Sequence, residues 1–225
     1  MTTIFLFIIL ALVVGGAIFY WSFILPKKRL NELTAYAAEL GFSRHQYIAT
    51  NPKDDIAPLR LFCLEPSGGD MKNVFIRTEP KLMIFDYEYD IPRDQTVRQT
   101  AALFETNGGK WPKLVVETKM KERFTVQFMR SLTQKLANWM SGYEEIDLSL
   151  YPEFAQHYRV FSSVKLEHVS DLVAEKTQEV LMQYPGWTVE AMDQWTLMYH
   201  QGKKVKPNEL KSFVDEAMHI YASLG

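Results

Sequence analysis

Residues 73–89, NVFIRTEPKLMIFDYEY, decide how the rest of the chain is read. Two runs rich in Val, Ile, Phe and Tyr flank Glu79-Pro80-Lys81, and the second leads into Asp86-Tyr87-Glu88-Tyr89-Asp90, acid alternating with aromatic. Side chains of a strand alternate between faces. The pattern therefore predicts a β-hairpin with Phe85, Tyr87 and Tyr89 on one face and three carboxylates on the other.

Downstream, 96–105 and 114–118 have the same strand-like composition, and the connections are too short for parallel crossovers, which predicts an antiparallel meander. The apolar run 59–64 reads as a short strand closed by Pro66-Ser67-Gly68-Gly69-Asp70. Residues 121–140 carry Phe124, Phe128, Leu132, Leu136 and Trp139 at spacings of three and four, a helical pattern. The C-terminal third reads β-α-β-β-α, with a strand at 158–162, a helix at 165–184, a hairpin at 187–191 and 195–200, and a helix at 208–224. Its two helices can cover one sheet face. Trp187 and Trp195 flank the hairpin as an aromatic cross-strand pair. The fold class is α+β.

Upstream the chemistry changes. Residues 4–25, IFLFIILALVVGGAIFYWSFIL, contain no charge, and every Lys, Arg, Asp and Glu follows them. As a helix they extend roughly 33 Å, enough to cross a ~30 Å hydrocarbon core. Lys27, Lys28 and Arg29 come directly after, and the excess of basic residues on that side places it in the cytoplasm. A single-pass membrane anchor with a cytosolic C-terminal module is expected. Pro26 marks the exit, and 27–40 reads as an amphipathic helix with Leu30, Leu33, Ala37 and Leu40 on one face. Gly41 suits the left-handed position that ends a helix, and Phe42 the apolar contact after it. The chain divides into an anchor (1–26), a juxtamembrane helix (27–42), an antiparallel β subdomain with a helix (43–142) and a β-α-β-β-α subdomain (143–225).

Composition narrows the chemistry. A net charge of −2 gives no global basic field, so nucleic acid is not an expected partner. Cys63 is the single cysteine, which excludes an internal disulfide and cysteine-rich zinc patterns. His45, His157, His168, His200 and His219 form no HExxH arrangement, and neither a P-loop nor a Gly-x-Ser-x-Gly elbow is present. No catalytic residue and no cofactor is assigned. The sharpest chemical candidate is the row Asp86, Glu88 and Asp90, whose carboxylates could hold a divalent cation or act as acid and base. Ligands on one flat strand diverge, however. The plainer reading is a solvated face whose acids pair with Arg77 or Arg98. Lys203, Lys204 and Lys206 form a basic turn.

Several stretches together resemble a group of uncharacterised bacterial proteins, each with an N-terminal membrane segment and a cytosolic domain. They are Glu39-Leu40-Gly41-Phe42, Lys72-Asn73-Val74, Ile84 through Tyr89, Arg98-Gln99-Thr100, Pro152-Glu153-Phe154, Tyr158-Arg159-Val160, Pro185-Gly186-Trp187 and Glu209-Leu210. The resemblance implies an inner-membrane location and brings no activity or site residues. The favoured function is non-catalytic, a membrane-tethered module acting through a protein partner. Two alternatives stand beside it: an enzyme or metal binder using Asp86, Glu88 and Asp90, and a sensor of ligand or lipid at the membrane surface.

Overall fold

The computed structural model describes residues 2–45, 56–63, 69–91, 95–106, 111–119, 142–164 and 173–224. The chain begins as one unbroken helical rod, formed by α1 (Thr2–Phe19), a π-helical turn (Tyr20–Ile24) and α2 (Leu25–Glu39). The wide turn has a local cause. Pro26 offers no N–H and its ring crowds the carbonyl four residues back, while the Leu25 N–H reaches five residues back to the Tyr20 carbonyl. Leu10, Leu12, Val13, Phe19, Phe23 and Ile24 stand exposed along this rod. No helix among the described residues is by itself long and apolar enough to cross a membrane.

α2 ends as the sequence foretells. The Phe42 N–H donates to the Ala37 carbonyl at 2.9 Å and the Gly41 N–H to that of Ala38 at 3.0 Å, with Gly41 at φ +79°. This is a Schellman closure, and it turns the chain into β1 (Ser43–Arg44). Leu33 and Ala37 are buried on the face that meets the sheet.

The sheet has nine strands: β1, β2 (Asp70–Thr78), β3 (Lys81–Ile91), β4 (Gln95–Glu105), β5 (Trp111–Thr118), β6 (Glu144–Glu145), β7 (Tyr158–Ser162), β8 (Trp187–Asp193) and β9 (Trp195–His200). Their spatial order is β1-β2-β3-β4-β9-β8-β5-β7-β6, and every pairing is antiparallel. Shorter helices are α3 (Arg60–Cys63), α4 (Pro152–His157) and α5 (Glu175–Gln183). A 3₁₀ turn (Pro207–Glu209) leads into α6 (Leu210–Ser223).

Both faces of the sheet are covered. On one, Leu33 and Ala37 of α2, Leu181 of α5 and Leu210, Phe213, Val214, Ala217 and Ile220 of α6 join Leu82, Ile84, Phe104, Val189 and Met198. On the other, Ile56, Leu59, Leu61 and Phe62 lie over Phe85, Tyr87, Leu103, Leu197 and Tyr199. β8 is accordingly buried at six consecutive positions, the signature of a strand with protein on both sides.

Three expectations are corrected. Residues 60–63 form α3 rather than a strand. A short apolar run does not distinguish strand from buried helix by periodicity, and here Leu61 and Phe62 pack against the sheet. β5 does not extend the meander, because the β8–β9 hairpin inserts between it and β4, with Ala101 opposite Tyr199 and Val116 opposite Val189. Trp187 and Trp195 do not pair. Their partners in register are His200 and Met192, and the two indoles belong to opposite faces. Hydrogen bonds between β4 and β9 and between β5 and β8 run across the 142/143 division. The helix expected at 121–140 lies outside the described residues, as does the 165–172 part, with His168, of the helix expected at 165–184.

Candidate functional site

The alternation of β3 places Leu82, Ile84 and Asp86 on the α2 face, and of the carboxylate row only Asp90 is solvated, with Glu88 part-buried and Asp86 buried. Asp86 is 2% exposed. The Arg29 guanidinium, on the second turn of α2, forks onto it, Nε to Oδ2 at 3.2 Å and Nη2 to Oδ1 at 3.0 Å. The Thr100 hydroxyl, directly across the ladder, donates to Oδ1 at 2.7 Å, and the Asn73 amide donates to Oδ2 at 2.8 Å. Lys204 Nζ lies 3.4 Å from Oδ2. Asn73 is delivered by an irregularity in β2 between Lys72 and Phe75 and adopts φ +51°, a conformation asparagine tolerates better than most residues.

Glu88, one pleat further on, meets Lys72 Nζ at 2.7 Å, Lys204 Nζ at 3.2 Å and Arg98 Nε at 3.5 Å. Burial pushes its carboxyl up, but the hydrogen bonds and charges of Lys72 and Lys204 outweigh this and hold it below the usual range. Asp90 is exposed and accepts from the Thr96 hydroxyl at 2.7 Å. Arg98 thus does pair with this row. Arg77 instead donates to Met218 Sδ and lies over the Phe42 ring. Among the described residues no three His, Cys, Asp or Glu side chains are grouped to hold a metal ion. Asp86 is engaged on both oxygens by protein donors, so its chemistry here is that of an ion-pair clamp between a helix and a sheet.

The basic triplet is therefore split. Arg29 is committed to Asp86, whereas Lys27 and Lys28 are exposed, with Lys28 only 3.9 Å from Glu32. α2 runs from the Asp86 region toward β1, which pairs with Phe75 and Ile76, themselves opposite Ile84 and Met83. Its start thus shares one end of the sheet with Glu88, Arg98 and the 201–206 loop. That loop is fixed by the Val205 N–H donating to Thr100 Oγ1, the Gly202 N–H donating to Gln99 Oε1, and the Thr100 N–H donating to the Lys203 carbonyl.

A second polar cluster, unforeseen from sequence, lies on the opposite face. Glu190 of β8 is 1% exposed and accepts from the Tyr199 hydroxyl at 2.6 Å and from the Leu61 N–H at 3.2 Å. Arg60 of α3 pairs with Glu117 of β5. Burial pushes the Glu190 carboxyl up, with the Tyr199 hydrogen bond and the Arg60 charge opposing. These contacts staple α3 to the sheet. The available signal was a single charge inside each of two apolar runs, Leu59–Leu64 and Trp187–Met192, since a charge in such a run needs a buried partner. A further groove, of about 530 Å³, lies beside β6 and is lined by Lys119, Glu145, Asp147, Leu148, Ser149 and Tyr158.

No protein-family model matches the chain, and no curated protein matches it. Among solved structures, the crystal structure of the mycobacterial trehalose monomycolate transport factor A, TtfA, is similar in fold, with a TM-score of 0.58 at 12% identity. The alignment covers 87% of this chain and 93% of that one. A likeness at this identity concerns the fold.

Proposed function

We propose that this chain is a single-pass inner-membrane protein whose cytosolic α+β module serves as a non-catalytic accessory factor, acting through a protein partner in lipid-related transport. The observation that carries the reading is the unbroken rod of Thr2–Glu39. Its uncharged length bears exposed Leu, Val, Ile and Phe side chains, and one turn beyond Pro26 it is clamped to the sheet by Arg29 and Asp86. Exposed apolar surface of this extent calls for a non-aqueous neighbour. Lys27 and Lys28, exposed just after it, favour the cytoplasmic side for the module. The fold likeness to a protein named as a transport factor supports an assembly role over an enzymatic one. An acid–base or metal role for Asp86, Glu88 and Asp90 has less support, because the first two are engaged by Arg29, Asn73, Thr100, Lys72 and Lys204.

The full chain, photo-crosslinked in its membrane from a probe at the exposed Leu150, should give one stoichiometric adduct with another membrane protein. Arg29→Met should lower that yield while leaving the chain in the membrane. A chain that stays monomeric under every crosslinking condition overturns the accessory role.

A further inference from the structure

We infer that the loop 201–206 and the first turn of α2 form one binding surface for the headgroups of anionic phospholipids in the leaflet the anchor enters. The inference rests on the membrane-tethered reading and specifies the lipid chemistry. Four lysines lie at this end of the molecule, Lys27 and Lys28 on α2 and Lys203 and Lys206 on the loop, and all four are exposed. The two elements are held side by side. Arg29 from α2 and Lys204 from the loop bind the same Asp86 oxygen, and α2 packs against the Pro207–Glu209 turn.

The cations of this region fall into two groups. Arg29, Lys204 and Lys72 are committed to Asp86 and Glu88 inside the fold. Lys27 and Lys203 have no ion-pair partner among the described residues. Lys28 and Lys206 have only exposed partners, Glu32 at 3.9 Å and Glu209 at 3.3 Å. Exposed pairs of this kind contribute little and exchange readily for a phosphate. The inward group neutralises Asp86 and Glu88, and the outward group faces the solvent with only the exposed carboxylates of Glu32 and Glu209 beside it.

Depth and rigidity agree with lipid as the occupant. Arg29 lies four residues past Leu25, about 6 Å along the helix axis, and the loop is tied to the same Asp86 carboxylate, so the two elements share the end of the sheet at which the apolar stretch stops. Its backbone is already fixed by the bonds to Thr100 and Gln99, so a headgroup contact requires little ordering.

The test uses the purified full chain in a neutral detergent, titrated with phosphatidylglycerol and read by native mass spectrometry. Lys203→Gln/Lys206→Gln should bind phosphatidylglycerol about 25-fold more weakly, about fivefold per lysine, the change that ~1 kcal/mol per charge amounts to. Phosphatidylcholine binding should be equal in both proteins, and an unchanged melting temperature should show that the fold is intact. Equal phosphatidylglycerol affinity in wild type and variant overturns the inference. So does displacement of the lipid by millimolar inorganic phosphate, which would mark a free-anion site. A chain recovered in the aqueous fraction without detergent would overturn the membrane reading itself, whereas a membrane-bound chain without the lysine effect overturns the lipid surface alone.

Discussion

Arg29 and Asp86 are the residues on which most depends. Removing one member of a buried, hydrogen-bonded pair leaves the other charge without its main counterion, at a cost of about 3–5 kcal/mol when burial is complete. Arg29 retains 20% side-chain exposure, so Arg29→Met should cost about 2–3 kcal/mol, against about 0.5 or less for the exposed Lys28→Met. Urea unfolding of the full chain in detergent, followed by tryptophan fluorescence, separates the two. Asp86→Asn with Glu88→Gln should likewise lower stability, an outcome opposite to that of a catalytic pair held in an otherwise indifferent fold. Glu88 adds a pH signature. Its carboxyl is held below the usual range in the folded state, so the stabilisation is present above the unfolded value, about 4.3, and is lost as pH falls through the folded one. The stability difference between wild type and Glu88→Gln should therefore shrink as pH drops below about 4, and a difference independent of pH would contradict the assignment. At this scale the sequence was half legible. Alternation put Asp86 and Glu88 on one face, but Arg29 lies 57 positions from Asp86, and its basic triplet already had a sufficient meaning as a topology signal.

At the scale of elements, α2 was the most legible. Leu33, Ala37, Gly41 and Phe42 each occupy the role their spacing implies, because capping and amphipathic periodicity are local effects. Gly41→Ala should cost about 1–2 kcal/mol from backbone conformation alone, since an added Cβ would have only Arg77 Cδ at 3.9 Å. Leu33→Ala should cost about 2–5 kcal/mol. Hydrogen exchange should then rise first across 30–42, which would show that α2 detaches as a unit. α3 was illegible for the converse reason. Six residues fit either period, and the decision came from Glu190 and Glu117 on distant strands, which need the Leu61 N–H and the Arg60 guanidinium. The tryptophans misled in the same way. Both suit a hairpin, but β8 has protein on both faces and can bury Trp187 on one side while Trp195 faces the other.

At the scale of the molecule, strand content and antiparallel sense were readable, whereas strand order was not. Alternation reports which face a residue takes but carries no label for its neighbour, and the hairpin of β8 and β9 entered the middle of the sheet from the far end of the sequence. The consequence is that the C-terminal third is structurally continuous with the strands that receive α2. The most direct measurement is a fusion of a reporter that fluoresces only in the cytoplasm after Gly225, read in the membrane pellet. Fluorescence retained in the membrane fraction is expected. A dark fusion, or fluorescence found in the soluble fraction, would contradict a cytosolic module tethered by residues 4–25.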